Sequence, residues 1–491
     1  MYFRCATSFC KLKWLFTTNE QELINSQEIR QNSIRPGYVL FPMILWLIIT
    51  MFPTWTSGQP ISAEQNYAVN SPGVVAVQTV FSATVYVNKV RMNERRFQAL
   101  VDSVNLLDTT GTMFSAEEKL DMVVKALYLN PFRFLVSTND YYRQQHRINS
   151  AGTGFFVTAD GYLITNSHII DRDSAFIRRK FILSTFQEVT EANIRALESS
   201  WAMTLTDDQR SMLNNAYSLI YSQVSDMILF DLRKEIFVQF RTDGGQGASG
   251  VRRLPARTIL SGKPMPGKDV AILKVDSVSQ LPALTLSADP IARIGEQVLV
   301  YGYPEPVTSN TYLAKETNIE PTLTAGIVSA IKRSIGGWRV VQMDAVITHG
   351  SSGSPVCDDR GHVIGLATFG SLEQKTGSLA TGFNFAIPLE VIREFLDSAN
   401  VTPAISLATS TYNAGLDLFY QGYYAKALKK FHAVKKINAS YPYLTSYIQQ
   451  SEALLKKGAD RESTSNKIVF RIMAGLLFFG GLYLAWRWKR K

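Results

Sequence analysis

The sequence predicts a mainly β protein, a barrel or sandwich with helical insertions, followed by a small α-helical region and an apolar helix able to span a bilayer. Three observations carry that reading. Between about Ala151 and Ala386 many short strand-like runs are separated by Gly and Pro turns, the pattern of closed or stacked antiparallel sheets. After Val401 the strand signals vanish. Two uncharged apolar segments, 38–55 and 472–486, bracket everything else.

Composition bounds the alternatives. With 491 residues, 46% hydrophobic and 19% charged, the chain can build two or three packed domains, which excludes general disorder. The net charge is +10, but Lys and Arg are interspersed with Asp and Glu except at the extreme C-terminus and around Lys426 to Lys436. That spacing reads as solvated faces and argues against nucleic-acid binding. Of three cysteines, Cys5 and Cys10 precede the first apolar run and only Cys357 lies in the body, so packing alone must hold an exported domain together.

Taken in order, residues 1–58 contain an export signal or signal anchor with its apolar core at 38–55, where Pro42 and Pro53 shorten the uninterrupted stretch and favour a cleaved signal. The domain expected over 73–400 opens with GVVAVQTVFSATVYVNK, a strand by its Val, Thr and Tyr content. Residues 93–130 read as a helical insertion with a capping box at Ser115 and Glu118. A second helical insertion is expected at about 188–232, with a capping box at Thr206 and Gln209. Over 405–458, the small residues Gly415, Gly422 and Ala427, followed by Phe431 and Val434, resemble a tetratricopeptide repeat that would hold a protein partner; a plain helical spacer fits the same pattern. A transmembrane helix is expected at 468–486, and its basic tail 487–491 belongs in the cytoplasm, which puts the intervening domains outside.

Acyl transfer by a hydroxyl nucleophile needs an imidazole base, a carboxylate to fix the imidazole's tautomer, and two N–H groups aimed at the developing oxyanion. With only five histidines the search is short. His168 follows an apolar strand in GYLITNSHII. Asp269 opens the apolar run of GKDVAILKVD, where a carboxylate needs a partner to be buried; Asp171 and Asp173 are rivals but stand close to His168 in sequence. Ser352 lies in GSSGSP, where glycines at 350 and 353 let the amides of Gly350 and Ser352 converge on one oxygen. Their order is His, Asp, Ser.

These stretches, with LPALTLSADPIARIGEQVLVYGYP, TLTAGIVSAIKRS, MDAVITHGSSGSPVCDDRGHVIGLATFG and GFNFAIPLEVIREFL, resemble successive parts of the protease domain of the HtrA (DegP-like) family over about half the chain. The resemblance implies a chymotrypsin-like double six-stranded β-barrel and a serine endopeptidase acting on polypeptides. It assigns His168 as general base, Asp269 as its orienter, Ser352 as nucleophile, and Gly350 with Ser352 as the oxyanion hole. It also sets Val346 at the floor of the pocket for the residue before the scissile bond, which favours aliphatic side chains. The chain departs from the family at Ser351, Ser354 and His349, and helices stand where a PDZ domain usually follows. No cofactor or metal is expected, since the histidines are scattered and Cys357 has no partner motif. The expected setting is a cell membrane crossed once or twice, with the protease domain on the extracytoplasmic side and exported or misfolded proteins as substrates. The alternative is a catalytically idle scaffold that binds partners through its helical region.

Overall fold

The computed structural model describes residues 60–107, 113–224, 227–244, 249–309, 311–313, 319–372, 379–462, 472–475, 477–478, 480–481, 486 and 488–489. The apolar segment 38–55 and much of the expected span 468–486 lie outside them. Among the described residues no helix is long and apolar enough to cross a membrane.

Helix α1 (Ala63–Asn70) leads into β1 (Val74–Met92), then α2 (Glu94–Leu106), α3 (Ala116–Leu129), α4 (Pro131–Phe134), β2 (Leu135–Phe156) and β3 (Tyr162–Thr165). After α5 (Ser167–Ile170), α6 (Ser174–Trp201) and α7 (Asp207–Val224) come β4 (Met227–Asp243), β5 (Ser249–Ser261) and β6 (Ala271–Lys274). The second half holds β7 (Gln297–Gly302), α8 (Glu305–Thr308), β8 (Thr322–Arg333), β9 (Arg339–Met343), β10 (Pro355–Cys357), β11 (Val363–Leu372), β12 (Leu379–Pro388) and α9 (Leu389–Ser398). Helices α10 (Leu407–Tyr420), α11 (Tyr424–Ile437) and α12 (Leu444–Lys456) follow.

All strand pairs are antiparallel and close two six-stranded barrels, β1-β2-β3-β6-β5-β4 and β10-β11-β12-β9-β8-β7. Successive side chains on a strand face opposite ways, and here both faces are buried. Phe156, Leu163 and Leu273 fill the first barrel, while their neighbours Phe155, Ile164 and Ile272 pack between the barrels against Leu299, Leu366 and the α9 residues Ile392 and Leu396. Val300 turns inward beside Val341, Met343 and Val356 to fill the second barrel. This two-sided burial is why these strands read as unbroken apolar runs rather than alternating ones.

Strands β1 and β2 are 19 and 22 residues long, more than a barrel wall requires. Beyond Phe81 they run on as a ribbon joined by the first half of β4, with Thr84 opposite Phe230 and Val87 opposite Met227. Helices α2, α3, α6 and α7 cover one face of the ribbon and share a core of Val85, Val87, Leu127, Phe181, Ile194 and Tyr217. The Phe97 and Trp201 rings stack at 5.7 Å, so the two helical insertions, distant in sequence, build one subdomain. Both capping boxes form, at Ser115 with Glu118 and at Thr206 with Gln209. The second helical stretch begins at Ser174, earlier than the pattern suggests, and residues 227–232 are already strand β4.

In the C-terminal region Gly415 of α10 lies against Phe431 of α11 so tightly that a Cβ would meet the ring at 2.7 Å. The helices dock on the barrels instead of standing off as a spacer. The Asp243 N–H donates to the Ser440 carbonyl at 3.0 Å, the Thr445 N–H to the Asp243 carboxylate at 2.6 Å, and the Arg241 guanidinium lies 4.5 Å over the Tyr443 ring.

Candidate active site

The segment Asn166-Ser167-His168 is fastened residue by residue to the start of β6. The Asn166 amide donates to the Asp269 carbonyl at 2.8 Å, and the Ser167 hydroxyl to the Val270 carbonyl at 2.7 Å. This register brings His168 onto the Asp269 carboxylate, which accepts from the His168 N–H at 2.9 Å and lies 2.6 Å from Nδ1. A carboxylate can only accept, so Nδ1 carries a proton and Nε2 is the nitrogen that Asp269 does not engage. The Thr368 hydroxyl adds a third donor to Asp269, at 2.8 Å. Asp269 is fully buried, and these bonds supply the compensation its charge requires. Its sequence rivals do other work: Asp171 faces Lys234 at 3.7 Å, and Asp173 caps α6 through the Ala175 N–H.

Ser352 stands on a turn that only glycines permit at two places. Gly350 and Gly353 have φ of +89° and +86°, and a Cβ at Gly353 would come within 2.0 Å of the Thr153 carbonyl oxygen. Thr153 clamps the turn. Its N–H donates to the Ser352 carbonyl at 2.8 Å, its hydroxyl donates to the Gly350 carbonyl at 2.8 Å, and the same hydroxyl accepts from the Tyr303 N–H at 3.0 Å. The His349 carbonyl accepts from the Glu305 N–H at 2.6 Å. In a trans peptide the C=O and N–H point opposite ways, so this bond turns the Gly350 N–H away from Glu305. Neither the Gly350 nor the Ser352 N–H has an acceptor among the described residues. The Ser352 hydroxyl donates to the Thr368 carbonyl at 2.9 Å, and attack requires it to turn from there toward His168 Nε2.

His168, Asp269, Ser352 and Gly350 thus share one cleft of about 870 Å³, lined also by Asn149, Arg172, Tyr303, Glu305 and Ile347. Val346 does not line it. That residue is 52% exposed, whereas Ile347 is 6% exposed and is among the residues that line the cleft. Thr153 and Thr368 are the residues that sequence reasoning misses; a threonine set between two glycines in Gly-Thr-Gly was the one available signal for the first. Ser354 is fully buried with a hydroxyl that has no partner among the described residues, beside Gly302, where a Cβ would lie 2.2 Å from the Ser354 Oγ. Cys357 is no rival nucleophile, because burial, reinforced by the Asp358 charge, pushes its thiol well above the ordinary range.

Residues 152–366, which include the His168–Asp269 pair and Ser352, match the trypsin-like peptidase domain. Among curated proteins, the chain is similar to the serine endoprotease DegS of Escherichia coli K12, with 30% identity over 133 residues, covering 26% of this chain and 34% of DegS. It is also similar to serine protease HTRA4 of Mus musculus, with 33% identity over 138 residues, covering 26% of this chain and 24% of HTRA4. The match therefore spans about a third or less of these relatives' length. Solved structures that resemble it include a serine endoprotease from Yersinia pestis, at TM-score 0.32 and 17% identity over 70% of this chain and 67% of that one. Another is the HtrA-type protease AlgW with a decapeptide, at TM-score 0.33 and 20% identity over 69% and 68%.

Proposed function

We propose that the chain is a serine endopeptidase that cleaves polypeptides through an acyl-enzyme. The observation that carries this reading is the fully buried Asp269 carboxylate, bonded at once to the His168 backbone, the His168 ring and Thr368. Ser352 Oγ attacks the scissile carbonyl and passes its proton to His168 Nε2. The N–H groups of Gly350 and Ser352 receive the oxyanion. His168 then gives the proton to the leaving amine, and water repeats the sequence to release the acid. Asp269 holds the ring and stabilises the imidazolium.

Ile347 gives the pocket an apolar wall, which supports cleavage after aliphatic residues. The apolar segments support anchorage in a membrane with the peptidase domain on its outer side, acting on exported or misfolded proteins, and the helices 407–456 would hold a protein partner. The idle-scaffold reading has one observation in its favour, the Ser352 hydroxyl resting on the Thr368 carbonyl. Incubation with an unfolded polypeptide and mass spectrometry of the products tests both. Fragments ending in Val, Ile, Leu or Ala that disappear in Ser352→Ala support the peptidase; an intact polypeptide with the folded wild type supports the scaffold.

A further inference from the structure

We propose that Arg172 forms a subsite on the leaving-group side of the cleft that binds a substrate carboxylate, so that cleavage is favoured ahead of Asp or Glu. This deepens the peptidase reading and rests on it. Arg172 lines the same cleft as His168 and Ser352. It is held there along one edge and one face of the guanidinium. Nε and Nη2 donate to the Ser150 hydroxyl at 3.4 and 3.1 Å, and the guanidinium carbon lies 5.4 Å over the Phe176 ring. Ser150 is itself buried near the end of β2, three residues before Thr153, whose N–H holds the Ser352 carbonyl.

This fixes which side Arg172 occupies. Ser352 is gripped between two walls, Thr153 of β2 and Thr368 of β11. Arg172 belongs to the β2 wall, two residues beyond the short helix carrying His168, and His168 is the group that must protonate the departing amine. The acyl part of the substrate is left the opposite wall, at Thr368 to Gly370.

The charge itself is unspent. Among the described residues Arg172 has no carboxylate within ion-pair distance, although its neighbours in sequence are engaged, Asp171 with Lys234 and Asp173 as a helix cap. Glu305, the other charged group of the cleft without an ion-pair partner among the described residues, stands beside the oxyanion turn. A guanidinium already oriented by a hydroxyl and an aromatic face loses little freedom on taking a carboxylate, and its planar fork suits one.

The test is a series of internally quenched peptides with Val before the scissile bond, and Glu, Gln or Lys at each of the two positions after it. Each peptide is made with a free and with an amidated C-terminus. Glu should exceed Gln in kcat/KM by about tenfold at one position, roughly the value of one charge-assisted hydrogen bond in a partly wet cleft. The advantage should shrink with added salt, disappear in Arg172→Gln, and turn into a preference for Lys in Arg172→Glu. If the gain follows the free terminus instead of the side chain, the preference for Asp or Glu is overturned and the carboxylate taken is the terminal one. A Glu-to-Gln ratio near one in the wild type, or a ratio that Arg172→Gln leaves in place, overturns it. Labelling by a fluorophosphonate probe separates these results from failure of the peptidase reading: a wild type that neither labels nor cleaves any peptide sinks both.

Discussion

At the scale of single residues, the site is an arrangement of hydroxyls and amides around one buried charge. Asp269 sets the His168 tautomer through its 2.6 Å contact with Nδ1. Asp269→Asn keeps the shape but presents a donor to Nδ1, and should lower kcat by on the order of 10⁴ with little change in KM. Steady-state kinetics would reveal it, and a loss of less than tenfold would contradict the role. Ser354 presents the opposite situation, a buried hydroxyl with no partner among the described residues. Ser354→Ala removes an unsatisfied group at almost constant volume and should raise stability by about 1 kcal/mol, visible as a higher thermal midpoint. The candidate residues His168, Asp269 and Ser352 are legible in the sequence because glycine turns, a Thr-Asn-Ser-His segment and chain order converge on them. Thr153 and Thr368 were not, because their partners Gly350 and Asp269 lie 197 and 99 residues away and a hydroxyl carries no periodic signal.

At the scale of elements, close approach decides what can be substituted. Gly415 leaves α10 in contact with the Phe431 ring of α11. Gly415→Val should cost roughly 1–3 kcal/mol despite the better intrinsic behaviour of a non-glycine in a helix, measured by urea unfolding. An unchanged midpoint would mean the helices can separate without penalty. The capping boxes were readable from four-residue patterns, and both form. Boundaries were harder. The run Met-Ile-Leu-Phe at 227–230 is too short and too uniformly apolar for its period to be read, and pairing with β1 makes it a strand. Similarly, the start of α6 at Ser174 is set by Asp173 capping the helix, in a stretch whose aromatic and β-branched residues weaken the helical signal.

At the scale of the whole molecule, the described chain is a double barrel with two additions, a ribbon-and-helix subdomain on the first barrel and a helical region docked beside it. Neither association is local in sequence, and neither was legible. The helical insertions meet only because β1, β2 and β4 extend past the barrel, and the C-terminal helices are fixed by contacts such as that between Asp243 and Thr445. Asp243→Ala leaves the Thr445 N–H without its acceptor and should loosen helices 407–456 by about 1–3 kcal/mol relative to the barrels, read as faster amide exchange in those helices alone. The two barrels place Thr153 of β2 and Thr368 of β11 on either side of Ser352. The most direct test of that arrangement is labelling by a serine-reactive fluorophosphonate. The folded wild type should react covalently at Ser352, and Ser352→Ala and His168→Ala should not react. A folded wild type that stays unlabelled, or a Ser352→Ala variant that still labels, would contradict the assignment of this cleft as a serine-protease active site.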